Sequence, residues 1–497
     1  MLTCRLKGKK YQLFVILSVS LDTTTMANAM LAVNFVPNKF GRVRLELNGF
    51  QFMVKNNKGD RRYWKCIVPQ CPATANTHHD HITKLSNNHT HAANTAKVKA
   101  DQVLKMIKQR CINETVPIPT IYDEERAKLR TADYMEVNPD HDDVIAQLPT
   151  FYQTRMTMYR ARAKETPKLP NTRNDIQLEG KWTQTLAGER FLIADDGNAD
   201  KILIFSTSSN LINLAAADVI YGDGTFYTSP TQFHQLYTLH TTVDGVMYPL
   251  VFALLPGKSE QIYNRYFTLL KDACQQQGLL LQPQTFFTDF ETATQNAALT
   301  AFPNITLRSC FFHFTQCIWR KTQKLGLVTA YKEDDDMKLF VRRAAILPLV
   351  PTEFVEDVWF KALEDAEDLP YNTTPLADYV TEYWVEGNDR HQWNHFVNEG
   401  PRTNNHLEGW HSKLKKLVNH AHPNIFQLID LLQKTQANTE ANQIQIRAGG
   451  KQRPRQKKYR NINSRLSTLK DRLLRQELTV QEYADEATFC LHLELRQ

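Results

Sequence analysis

The first apolar pattern along the chain has a period of two. Val43 to Leu47 alternates, Asn48-Gly49 is a strong hairpin signal, and Phe50 to Lys55 returns. Asn56 to Asp60 turns again and Arg62 to Ile67 makes a third strand. Cys71 follows, then a His-rich loop with His78, His79 and His81, then Asn88-His89-Thr90-His91. The period then changes. Val98, Val103, Leu104 and Ile107 recur at helical spacing between Lys97 and Cys111, until Pro117 and Pro119 break the run. Asp142 to Ala163 is a second amphipathic run, and Pro167, Pro170 and Asn171 mark a linker.

From residue 183 strands and helices mix. Arg190–Ala194 and Ile202–Phe205 are strand-like, and Ser209 is placed to cap a helix over Asn210–Ala217. Val219 to Phe226 is an apolar strand that ends on Asp223, held between Gly222 and Gly224. His234–Thr242 alternates, Asp244-Gly245 turns, and Val246–Leu255 returns. Glu260–Cys274 predicts a helix with Ile262, Tyr266, Leu269, Leu270 and Ala273 on one face, and Gly278 ends it. Thr285–Thr288 is a short buried strand ending on Asp289, with Glu291 just after. A helix over Ala293–Ala301 and a strand over Thr306–Phe311 lead into Cys310-Phe311-Phe312-His313. Three antiparallel strands followed by alternating helix and strand is the order of an RNase H-like α/β core. Residues 330–400 read as a helical insertion. Asn404 then caps a helix that carries Glu408 in its first or second turn and runs on through Leu414, Leu417 and Val418. After Gly449-Gly450, Lys451 to Arg460 is a basic cluster that suits nuclear import or a DNA-backbone arm, and residues 462–490 resume helical periodicity.

Composition narrows the class. The 497 residues suffice for two or three domains, and 42% hydrophobic with 23% charged residues excludes a disordered or collagen-like chain. A net charge of +7 is too modest to establish nucleic-acid binding by itself. The 8 cysteines are scattered, so a reducing compartment with some thiols on metal fits better than a disulfide framework. Arg5, Lys7, Lys9 and Lys10 before the apolar run Leu13–Leu21, with Ala27-Asn28-Ala29 after it, outline a secretory signal. The sites downstream do not suit secretion. Met26 offers a second start, which would make residues 1–25 an upstream extension, and residues 1–37 are set aside as an N-terminal extension. No later run approaches transmembrane length.

Two sets of residues carry candidate chemistry. Cys66 and Cys71, in Cys-x4-Cys spacing, with His89 and His91 supply two thiolates and two imidazoles, a suitable tetrahedral set for zinc. So small a β-unit needs such a staple. His78, His79 and His81 are competing ligands. Lys39, Arg42, Arg44, Lys55, Lys58, Arg61, Arg62 and Lys65 suit phosphate contacts or simply form a solvated face. The second set is acidic. An Asp between glycines suits a divalent cation at a sheet edge, although Asp-Gly turns are common. In the RNase H-like order the first and fourth strands are neighbours, so Asp223 and Asp289 would meet at one end of the sheet and hold two Mg2+ ions for phosphoryl transfer. Glu291 is the alternative to Asp289. His313 reads either as functional or as a core histidine. Cys310 and His313 lack two further ligands nearby, so no second zinc is predicted. Trp319, Arg320, Lys321 and Lys324 suit DNA contact or a solvated face.

Residues 38–92 resemble the FLYWCH zinc finger, a DNA- and protein-associated module, through Phe52, Tyr63-Trp64-Lys65-Cys66, Cys71, His89 and His91. Residues from about 130 to 440 resemble the transposase domain of Mutator-like elements (MULE). The matching positions are Asp223 in Gly-Asp-Gly-Thr-Phe, Asp289 in Thr-Asp-Phe-Glu, Cys310 and His313 in Cys-x2-His, and Glu408 in Thr-Asn-Asn-His-Leu-Glu. The resemblance implies a DDE triad of Asp223, Asp289 and Glu408 binding Mg2+ or Mn2+, with His313 positioning phosphate. It implies cutting of DNA at element ends and joining to target DNA, in the nucleus, by a homo-oligomer. The finger would add zinc and a DNA or protein contact. A domesticated, non-catalytic DNA- or protein-binding factor is the alternative. The implied domains are the finger at 38–92, helical support at 93–182, the RNase H-like domain at 183–445 with its insertion at about 330–400, and a basic tail with a helix at 446–497.

Overall fold

The computed structural model describes residues 34–37, 43–79, 81–197, 199–387, 389–398, 405–418, 420–451, 457–491 and 493. It divides into two compact units, Met1–Pro167 and Lys168–Gln497. The secretory outline and Met26 fall outside the described residues, as do Lys39, Arg42 and Asn404.

In the first unit, six strands form one antiparallel sheet in chain order: β1 Asn34–Pro37, β2 Val43–Leu47, β3 Phe50–Lys58, β4 Arg61–Cys66, β5 Thr74–His78 and β6 His81–Ser86. The turn at Asn48-Gly49 has positive φ at both residues (47° and 79°), as a two-residue hairpin requires. Leu45, Leu47, Phe52, Trp64, Cys66, Ala73 and Ala75 fill the core. The expected His-rich loop is instead the β5–β6 hairpin. The inward positions of β5 are Ala75 and Thr77, the Thr77 hydroxyl accepts the Trp64 indole N–H at 3.0 Å, and Ile82 and Leu85 of β6 pack half-buried against the same core. A strand whose inward side chains are alanine and threonine has no apolar alternation to betray it.

Five helices follow: α1 Thr95–Asn113, α2 Ile118–Lys128, α3 Ala132–Val137, α4 His141–Gln147 and α5 Phe151–Ala163. Ala100, Val103, Ile107, Ile121, Val144 and Met158 pack between them. Pro119 does more than break α1. It lies in the first turn of α2, where its missing N–H costs nothing. The amphipathic run at 142–163 is two helices, because Pro149 interrupts it and Thr150 opens α5 with a capping box to Gln153.

The second unit begins with β7 Leu192–Asp195, β8 Leu203–Phe205 and α6 Ser208–Ala215. Thr207, not Ser209, caps α6, accepting from the Asn210 amide at 3.2 Å. Then come β9 Val219–Thr225, β10 Gln235–Val243, β11 Val246–Leu255, α7 Glu260–Gln275, β12 Thr285–Thr288, α8 Thr292–Ala301 and β13 Thr306–Ser309. The seven strands lie in the order β13-β12-β9-β10-β11-β8-β7. β9, β10 and β11 are antiparallel neighbours, whereas β12 runs parallel to both β9 and β13. Leu270, Tyr263, Phe267 and Ala298 from α7 and α8 cover one face.

The remaining helices are α9 Phe311–Lys324, α10 Val328–Glu333, α11 Asp335–Ile346, α12 Val355–Ala366, α13 Thr374–Val380 with a π-helical turn Thr381–Glu386, α14 Arg390–Trp393, α15 Asn405–Val418, α16 Ile425–Arg447, α17 Lys457–Leu474 and α18 Val480–Thr488. Leu414 of α15 and Ile425, Phe426, Leu428, Ile429 and Leu432 of α16 cover the second face of the sheet. Helices α9 to α14 share a core rich in Trp359, Trp384 and Trp393. The C-terminal helices pack into that core through Leu466, Leu469, Tyr483 and Ala487. Arg343, nearly buried, is held by Asp485 at 2.6 Å and Asp365 at 2.5 Å. Residues 452–456 of the basic cluster lie outside the described residues, and Lys457 opens α17.

Candidate functional site

The parallel pairing of β9 with β12 sets the acidic residues level. Phe287 stands opposite Tyr221 in the register, and each is two residues before an aspartate, Asp289 and Asp223. The two rings stack at 4.9 Å. Leu407, fully buried, packs on both rings and so fastens the start of α15 over the strands that carry the two acids. Glu408 is the next residue, in the first turn of α15 and half-buried.

Asp223 does not end its strand. β9 runs on to Thr225, with Asp223 opposite Thr238 of β10. Neither flanking glycine has positive φ. Their role is room: a Cβ on Gly222 would come within 2.7 Å of the Phe286 ring and against the Tyr237 hydroxyl, and one on Gly224 would strike the Gln235 side chain. The alternative Asp-Gly turn is therefore not formed, and the glycines answer to crowding from neighbouring strands. The Asp223 carboxylate accepts from the Gly224 amide at 2.8 Å, and its other oxygen lies 3.2 Å from His411 Nδ1. His411 sits one turn after Glu408 in α15. It lies three residues beyond the Thr-Asn-Asn-His-Leu-Glu motif, and nothing in the sequence reading assigns it a role.

Asp289 accepts the Glu291 amide at 3.2 Å. Burial pushes its carboxyl above the usual carboxylate range; His313 opposes this and the Asp223 charge adds to it. Glu291 is engaged elsewhere, with Tyr263 Oη at 3.1 Å and Lys258 Nζ at 3.5 Å. β13 stops at Ser309, so Cys310 is the N-cap of α9 and His313 lies in its first turn. Burial pulls the His313 imidazole down. The Cys310 thiol and the charges of Asp223 and Asp289 outweigh it and bring it up to about 9. Its Nδ1 is buried without a hydrogen-bond partner. Trp319 faces inward, edge-on to Tyr331 at 5.0 Å, and Lys321 lies over the Tyr379 ring at 4.9 Å, which leaves Arg320 and Lys324 exposed.

In the first unit, Cys66, Cys71, His89 and His91 bring one ligand atom each to within 4.8 Å of the others. Cys66 Sγ to His91 Nε2 is 3.2 Å, Cys71 Sγ to His89 Nδ1 is 3.4 Å, and the two imidazole nitrogens are 3.3 Å apart. Tetrahedral zinc with ordinary Zn–S and Zn–N lengths needs edges of about 3.3–3.6 Å, so the donor set fits. His91 Nδ1 lies 2.9 Å from the Ala92 carbonyl and can donate only as the Nδ1–H form, which frees Nε2 for metal. Phe50 stacks on the His89 ring at 3.6 Å. Burial pushes the Cys71 thiol up, but the Ala73 and Thr90 amides outweigh it and bring it down to about 7. His78 and His79 group instead with Asp60, all three exposed.

The family model of the MULE transposase domain matches residues 219–317. That of the FLYWCH zinc finger domain matches residues 35–91. No curated protein matches the chain. The MULE match runs from β9 into α9 and so contains Asp223, Asp289, Cys310 and His313, while Glu408 lies beyond it. The FLYWCH match contains all four Cys and His donors and extends the finger N-terminally to include most of β1. Together they support a transposase-related function, with DNA binding, and a Cys/His site for zinc. Among the described residues no helix is long and apolar enough to cross a membrane.

Proposed function

We propose that the chain is a DNA transposase of the Mutator-like DDE type, acting in the nucleus as a homo-oligomer on element ends and target DNA. The observation that carries this reading is the parallel β9–β12 register, in which Tyr221 and Phe287 pair two residues before Asp223 and Asp289, within a segment similar to the MULE transposase domain. The sheet order β11-β10-β9-β12-β13, three antiparallel strands then two parallel ones, supports an RNase H-like core. Asp223, Asp289 and Glu408 are the acids. Their donor chemistry fits a hard divalent cation: burial raises the Asp289 carboxyl, the neighbouring Asp223 charge adds to the rise, and the orphaned His313 Nδ1 lies in the field of both. Bound Mg2+ or Mn2+ would stabilise charge on the attacking and leaving oxygens. His313, in the first turn of α9 beside the acids, orients a phosphate. Leu407 and the Tyr221–Phe287 stack keep Glu408 over the sheet edge. Cys66, Cys71, His89 and His91 hold the structural zinc of a finger that contacts DNA or a protein partner.

The test is a Mg2+- or Mn2+-dependent cleavage assay on the element's own ends, wild type against Asp223→Asn. The change is nearly isosteric and removes the charge. Cleavage should fall about 10³-fold while DNA binding persists. Equal activity in the two refutes the assignment. No activity in either, with tight DNA binding in both, makes the chain a domesticated binding factor.

A further inference from the structure

The geometry points to His411 as a nitrogen ligand of the same divalent centre, an inference that rests on the acid-site reading above. His411 and Glu408 are three residues apart in α15, so they share a helix face. A Glu-x-x-His pair on one helix is a ligand arrangement of carboxylate–histidine metal sites. His411 Nδ1 lies 3.2 Å from Asp223 Oδ2, and each side chain is only 12% exposed. On its other side, Nε2 lies 3.3 Å from Thr238 Oγ1.

The Thr238 hydroxyl has one proton and three neighbours for it, the Asp223 carbonyl at 3.3 Å, His411 Nε2 and His240 Nε2 at 3.0 Å. When that proton goes to the carbonyl, the hydroxyl accepts from His411 Nε2–H, and the Nδ1 lone pair faces the carboxylate oxygen. A cation touching both atoms stabilises that tautomer. Ligands about 2.1 Å from one ion, at right angles, are about 3.0 Å apart, and in a tetrahedron about 3.4 Å. The observed separation falls between those edges.

The Asp223–His411–Thr238 chain also has the outline of a hydrolase triad. Thr238 is wholly buried between strands and cannot meet a substrate, so a nucleophilic role fails. Ligation has a consequence that a plain ion pair lacks. Carboxylates alone suit Mg2+, whereas imidazole favours first-row transition ions. His411 therefore biases the site toward Mn2+ over Mg2+.

The experiment is Mn2+ titration of the full-length, zinc-loaded protein, followed by pulsed electron paramagnetic resonance. Wild type should show nitrogen modulation on bound Mn2+, with the pattern replaced on 15N-histidine labelling. His411→Gln should abolish the modulation and weaken Mn2+ binding about tenfold, with a smaller loss for Mg2+. His313→Gln should keep the modulation. The labelled wild-type spectrum does not depend on any variant folding. Mn2+ bound without nitrogen modulation, or modulation that survives in His411→Gln, overturns the ligand and leaves the acid site standing, with a protonated His411 simply paired to Asp223. Mn2+ binding unchanged in Asp223→Asn overturns the acid site as well.

Discussion

The finger and the acidic sheet edge gather polar donors in opposite ways. In the finger, the four donors all lie between positions 66 and 91, and their ligand atoms stand at distances that one zinc ion could span. The acids of the proposed second site come from positions 223, 289 and 408, in β9, just after β12 and in α15, separated by whole elements. Closing a short loop costs little entropy, and metal then holds it. On the proposed reading, the distant acids would need the parallel β9–β12 register and the Leu407 contact before they could act together. A local site fails when a ligand is lost; a topological site also fails when packing some distance from the chemistry is lost.

Cys66→Ser should break the first half of that contrast most severely. It should release about one zinc per chain and abolish the finger's cooperative unfolding, while the second unit melts as before. Metal analysis with calorimetry checks this, and unchanged zinc content would count against the cluster. Leu407→Ala tests the other half, because the residue touches no substrate. It should destabilise the second unit by about 2–4 kcal/mol in denaturant titration and depress cleavage as α15 loosens. Full activity with normal stability would mean that α15 is placed by other contacts. Gly222→Ala forces a Cβ against Tyr237 and Phe286, and should cost about 1–3 kcal/mol. A neutral result would show that those rings give way freely. The smallest effect belongs to His78→Ala, His79→Ala and His81→Ala. Zinc content should not change and stability should move by less than about 0.5 kcal/mol, since these exposed residues lie outside the Cys/His cluster. Lost zinc in any of them would reopen the ligand set.

Much of the local structure was legible. Asn48-Gly49 announced a turn that the backbone makes with positive φ at both residues, and the strands around Asp223 and Asp289 follow their apolar runs closely. What misled was chemistry shared by two structures. Residues 74–78 are as polar in a loop as in β5, since the core positions of that strand are Ala75 and Thr77. The apolar strand reads as ending on Asp223, but β9 passes through Gly-Asp-Gly to Thr225, and the glycines answer to Tyr237, Phe286 and Gln235 on neighbouring strands.

By itself, the sequence determined which residue types lie near each other along the chain: the Cys-x4-Cys and His-x-His pairs, the acids after apolar strands, and the two family resemblances. Tertiary structure alone decided that Leu407 ties α15 to the strands beside the two aspartates, and that His411 meets Asp223 while Glu291 turns away to Lys258 and Tyr263. The physical reason is range. Turn and periodicity signals act over a few residues, whereas strand register and helix docking depend on side chains far apart in the chain that become neighbours only once the core has closed.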